Sequence, residues 1–152
     1  MSILKINTAL QIGKSAQEVY EALVNPKHMN HYFISESSGI MEEGKKLIWK
    51  FPEFKEEFEI HIIQLTPPSL IIFEWPSDVV PMLQVKIMLE NLSDSATLVR
   101  ITEGEVVQSD QGLQWLARNT EGWANFLACL KAYLEFGVNL RKGGFDFMKN
   151  IE

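Results

Sequence analysis

Of the 152 residues, 46% are hydrophobic and 22% charged, the balance of a globular chain rather than a disordered one. The net charge of −6 excludes nucleic acid and anionic membrane as the main partner, because both need a concentrated positive field. A single cysteine, Cys129, excludes an intramolecular disulfide framework, and no apolar run approaches the length that crosses a bilayer.

Met1-Ser2-Ile3-Leu4-Lys5 lacks the basic segment and long apolar run of a secretory signal, so a single cytoplasmic domain over residues 1–152 is expected. Ile3–Ile12 reads as a first strand, with Leu4, Ile6, Leu10 and Ile12 on even positions. Ser15-Ala16-Gln17-Glu18 has the form of a capping box, and Ala16, Val19, Tyr20 and Leu23 then recur at helical spacing. Asn25-Pro26 opens a second short helix, with asparagine as cap and proline at the first helical position; it carries His28, His31, Tyr32 and Phe33.

From Ser35 to Glu105 the period changes to two. Leu47, Trp49 and Phe51 mark the inward side of one strand, and Phe58, Ile60 and Ile62 that of the next. Ile71, Phe73 and Trp75, then Val85, Ile87 and Leu89, then Thr97, Val99 and Ile101 continue the pattern. Turns at Pro52-Glu53, Pro67-Pro68-Ser69, Pro76-Ser77-Asp78 and Ser93-Asp94-Ser95 make these five strands an antiparallel meander. By the same parity Glu57, Glu59, Glu74, Lys86 and Arg100 point to solvent, which leaves almost no ionisable group on the inward side. A polar connection follows Glu105, and Asp110–Arg118 reads as a helical lead-in. Asn119–Arg141 is the long helix, with Trp123, Phe126, Leu127, Leu130, Leu134 and Val138 on its apolar side. Lys142-Gly143-Gly144 is its expected stop, and Phe145-Asp146-Phe147-Met148 a short tail.

A one-sided helix must bury its apolar side, and the only partner large enough is the sheet. The predicted fold is therefore α+β, and the segments that build it carry a resemblance. Ser15–Leu23, Asn25-Pro26 leading to Tyr32-Phe33, Glu43-Gly44, Pro67–Trp75, Ala96–Thr102 and Gly122–Glu135 occur in the order found in the START-like superfamily. Within it the chain resembles the branch named after the activator of the heat-shock protein 90 ATPase. The resemblance implies a helix-grip fold, a curved antiparallel sheet wrapped around a long C-terminal helix with two short helices after the first strand. Such domains commonly keep an apolar cavity between sheet and helix. Two positions depart from the family pattern: Tyr32-Phe33 replaces tryptophan-phenylalanine, and Glu43 replaces a second glycine. Both bear on the shape of a pocket near the short helices.

The expected ligand is a small hydrophobic, aromatic or lipid-like molecule. The inward aromatics Trp49, Phe51, Phe73, Trp75 and Trp123 are its predicted contacts, together with Phe33 and the aliphatic wall of Val85, Ile87, Val99 and Leu127. Tyr32, His28 and His31 are the polar-tipped candidates at the mouth. His28 and His31 stand three apart, but a zinc site needs a third or fourth ligand and none lies at matching spacing, so no metal is expected. Glycine-rich phosphate loops and the Gly-x-Ser-x-Gly elbow are absent, so no cofactor and no serine nucleophile are expected either. Two readings from other classes stay open: a co-chaperone or protein-interaction module, for which the branch's name, Phe136 and the tail 145–148 speak, and a polyketide-cyclase-like enzyme.

Overall fold

The computed structural model describes residues 2–150; Met1, Ile151 and Glu152 of the expected domain lie outside them. Seven strands form one antiparallel sheet: β1 (Ile3–Ile12), β2 (Glu36–Ser37), β3 (Lys46–Lys50), β4 (Glu57–Thr66), β5 (Leu70–Pro76), β6 (Met82–Ser93) and β7 (Ala96–Val107). Their order, β1-β7-β6-β5-β4-β3-β2, is the expected meander with the first strand returned to the side of the last. Helices α1 (Ala16–Val24) and α2 (Pro26–Met29) follow β1, and α3 (Asp110–Phe136) packs on the sheet. This is the helix-grip arrangement.

The local signals act as their chemistry requires. Ser15 Oγ accepts from the Glu18 amide at 3.2 Å and donates to Glu18 Oε1 at 3.1 Å. Asn25 Oδ1 accepts from the Lys27 amide at 3.0 Å, capping α2 ahead of Pro26. His31, Tyr32 and Phe33 lie beyond α2, in the turns that lead to β2.

The long helix differs from its prediction at both ends. Asp110–Arg118 is not a separate lead-in but the first turns of one 27-residue helix, capped by Ser109, whose Oγ accepts from the Gly112 amide. The helix stops at Gly137, not at Lys142-Gly143-Gly144. Gly137 takes φ +64°, a left-handed conformation open to glycine at little steric cost. Its N–H donates to the Tyr133 carbonyl at 3.0 Å, the bond of an αL closure, and the Val138 N–H donates to that of Ala132 at 3.2 Å. Val138 and Arg141 therefore leave the helix, and Val138 is exposed. β7 also runs to Val107, through the segment expected to be a polar connection.

The core lies between the sheet and α3. Ile60, Ile71, Val85, Val99 and Ile101 from the sheet and Leu130 at the centre of the helix are fully buried, with Trp123, Phe126 and Leu127 beside it.

Candidate functional site

The space between sheet and helix is filled. The residual void there measures about 10 Å³, bordered by Trp49, Phe73, Ile87, Trp123 and Phe126, with Phe33 above. That is at the lower limit for a single water molecule. At one end of this core an apolar cleft of about 190 Å³ opens between α3, the ends of β3 and β5, and the C-terminal segment, and a larger, more polar hollow of about 540 Å³ borders Tyr32, Phe33, Glu53, Arg141 and Asp146. Phe33, Phe51, Phe54, Trp75 and Trp123 supply aromatic walls; Asn119 and Gly122 come from α3, and Arg141, Phe145 and Met148 from the segment beyond it.

The rings of this cleft hold one another. Phe33 stands edge-on to Phe126 (4.7 Å between centroids), Phe51 (5.2 Å) and Trp49 (5.6 Å). Trp75 stacks on Trp123 at 5.3 Å and 28°. Offset and edge-to-face pairs of this kind add rigidity beyond simple burial.

Beneath the stacked indoles sits the residue the parity argument stopped short of. Glu103 is 1% exposed. Its Oε2 accepts from Trp75 Nε1 at 2.8 Å, and its Oε1 from Trp123 Nε1 at 2.8 Å and Asn119 Nδ2 at 3.3 Å. One carboxyl thus ties a strand indole, a helix indole and a cleft-wall amide together. The expectation of an inward side nearly free of ionisable groups is corrected here. Thr97, Val99 and Ile101 already face inward, and the same alternation carried two residues further reaches Glu103. Next to it, Gly104 adopts φ +152°, and a Cβ there would come within 3.2 Å of the Leu4 carbonyl. Glycine lets β1 pass that close where the register shifts by one residue.

The C-terminal segment is anchored by Arg141, whose Nη2 donates to both Glu53 oxygens, at 2.8 and 2.9 Å. The Glu53 side chain is buried and that of Arg141 nearly so, which makes the pair stronger than an exposed ion pair and costly to break from one side. The guanidinium also lies 4.5 Å from the Phe145 ring centre and 5.8 Å from that of Phe51.

Of the predicted contacts, Phe33, Phe51, Trp75 and Trp123 line the cleft. Trp49, Phe73 and Ile87 border only the small internal void, and Val85, Val99 and Leu127 are packed in the core away from both. Tyr32 is not a polar tip at the mouth. It is buried and its hydroxyl donates to the Ala22 carbonyl at 2.8 Å; burial, then the neighbouring Tyr133, pushes its pKa well above the usual tyrosine range. His28 and His31 both turn to Tyr133: His28 Nδ1 lies 2.7 Å from its hydroxyl and His31 stacks on its ring at 5.5 Å. Among the described residues no group of three or more His, Cys, Asp or Glu is placed to hold a metal ion. Burial raises the Cys129 thiol, partly offset by Arg141, the opposite of what a nucleophilic cysteine needs. Phe54, Asn119, Gly122, Arg141, Phe145 and Met148 carried no sequence signal for the cleft, because only the chain's long-range path brings them to it.

Residues 14–135 match the family model described as Activator of Hsp90 ATPase homolog 1-like protein. No curated protein matches the chain in sequence. Among solved structures, the protein SSP2350 from Staphylococcus saprophyticus is 31% identical, with 91% of this chain and 96% of that chain covered and a TM-score of 0.79. The Aha1 dimer from Colwellia psychrerythraea is similar at 22% identity over 88% of this chain and 98% of that one, with a TM-score of 0.75. CalU16 from Micromonospora echinospora is similar at 19% identity over 95% and 83%, with a TM-score of 0.70. At these identities the last two show the fold alone.

Proposed function

The chain belongs to the activator of Hsp90 ATPase homolog 1-like family, and within it we propose that this protein binds a small hydrophobic or aromatic molecule in the cleft at the Trp75–Trp123 end of the core. The observation that carries the reading is the cleft wall itself, six aromatic side chains around about 190 Å³ with Asn119 and Arg141 as its polar groups. Sites for small molecules have this composition, mostly apolar with a few groups that orient the ligand. Orientation comes from Asn119 and Arg141 rather than from Tyr32 or the histidines. The driving force is apolar area removed from water, at about 25 cal/mol per Å². A ligand of one or two rings held this way binds with micromolar affinity, about 8 kcal/mol.

Native mass spectrometry of the purified protein tests the reading by detecting a co-purified molecule. A panel of flat aromatic compounds then has to quench tryptophan emission saturably. If no member of a broad panel quenches and none raises the melting temperature, the cleft is not a ligand site.

A second reading rests on Phe136 at the end of α3 and on Val138, Leu140 and Phe147 after it, all four of them exposed. Apolar side chains gathered on a surface favour a protein-interaction module. Light scattering across a concentration series checks for self-association, and loss of any association in Phe136→Ser would assign it to this patch.

A further inference from the structure

We infer that the cleft receives a planar aromatic ring in the place held by its own Phe145, so that the C-terminal segment and the ligand compete for one position. This rests on the reading of the cleft as a ligand site. Phe145 is a shared wall. On one side lies the aromatic cleft of about 190 Å³, and on the other a hollow of about 330 Å³ beside Cys129, Asn125 and Leu140. Small-molecule sites span roughly 300–1,000 Å³, and the aromatic cleft alone falls below that range. Withdrawal of the Phe145 ring joins the two spaces into one that lies within it.

The position suits a flat ring. The Arg141 guanidinium is close to the rings of both Phe51 and Phe145, so an aromatic face that replaces Phe145 keeps a cation against it. Arg141 itself stays fixed by its two hydrogen bonds to Glu53. Beyond Arg141 the hold is slight. Among the described residues, the hydrogen bonds and ion pair of residues 142–149 run only to partners within 139–149. Segments with few tertiary bonds open at the low end of the stability scale. Arg141 is therefore the pivot, and Phe145 the side chain that gives way.

The neutral fluorescent probe N-phenyl-1-naphthylamine, titrated into wild type, Phe145→Ala and Lys149→Ala, tests this. Near-UV circular dichroism establishes that each variant keeps its fold, and Phe145→Leu repeats the comparison with the wall only partly emptied. Removal of a competing internal group raises apparent affinity by the reciprocal of the open fraction, here expected as at least about threefold tighter binding in Phe145→Ala. Lys149→Ala, which removes an exposed ion pair to Asp146 in the same segment and borders neither the cleft nor the hollow beside Cys129, should bind as wild type does. Equal or weaker binding in Phe145→Ala, with wild type binding the probe, overturns the competition and leaves the cleft reading in place. Equal tightening by Lys149→Ala overturns it as well, since the effect would then be a general loosening of the segment. Absence of binding in both wild type and Phe145→Ala refutes the cleft reading itself.

Discussion

The indole N–H of Trp123 donates to Glu103 across 2.8 Å, joining the long helix to the last strand inside the protein. The same carboxyl accepts from Trp75, so the two rings that floor the cleft share one anchor. Glu135 and Lys131 tie the C-terminal half of α3 to β1 and the turn after it, and this buried bond fixes the rotation of its N-terminal half over the sheet.

Replacement of Glu103 by alanine removes the acceptor for two indole donors at once. Each buried donor left unpaired costs about 1–3 kcal/mol, so Glu103→Ala should lose about 2–6 kcal/mol in urea denaturation. Glu103→Gln keeps one acceptor oxygen but presents an amide to the other indole, and about half that loss is expected. A change below about 0.5 kcal/mol in both, the range of surface substitutions, would show that the bonds are not formed.

Leu130 is wholly buried at the centre of α3, and truncation to alanine should cost about 2–5 kcal/mol. Val85→Trp and Val99→Trp probe the same packing from the sheet side. A void of about 10 Å³ does not border either valine, so both substitutions overpack rather than fill. Destabilisation of about 1–3 kcal/mol or more is expected. Unchanged stability with a larger ring in place would reveal space that the packing denies.

Gly122 lies on the exposed side of α3 at the cleft wall, and a Cβ added there meets nothing within 4 Å. Gly122→Ala should therefore stabilise the protein by about 0.5–1 kcal/mol, the propensity difference between the two residues in a helix. Gly122→Leu should keep the fold and narrow the cleft, weakening saturable tryptophan quenching. Stable protein with quenching untouched would place the ligand elsewhere.

Glu135 links the end of α3 to the turn after β1. Its Oε2 accepts from the Gly13 amide at 2.8 Å and from Lys131, and these bonds, the backbone one first, hold its pKa below the ordinary glutamate value. A depressed folded-state pKa stabilises above the unfolded value, about 4.3, and the contribution disappears as pH falls through the folded value. Thermal melts of wild type and Glu135→Gln should therefore differ at pH 7 and converge as the pH drops below 4.3. A gap that stays constant across that range would mean the carboxylate's charge is not what stabilises the turn.

Periodicity determined six of the seven strands, the short helix α1, the inward set Val85, Ile87, Val99 and Ile101, and the apolar face around Leu130; the two-residue β2 is too short to carry a pattern. Those patterns arise because each element repeats its own geometry, every two residues in a strand and every 3.6 in a helix. The capping serine and the Asn25-Pro26 start were legible for the same local reason. Gly137 was missed although glycine is the common left-handed helix stop, because the glycine pair six residues on gave the stronger local signal. The tertiary structure alone decided that the middle of the core is closed and that the open space lies at its end. That outcome depends on how bulky rings from separate segments interlock, which no repeat along the chain encodes. Arg141 reaches Glu53 across 88 residues of sequence, and neither residue carries a local sign of the other. Glu103 falls between the two cases. Its inward direction follows from strand parity, whereas its partners, one on β5 and two on α3, exist only once the helix lies across the sheet.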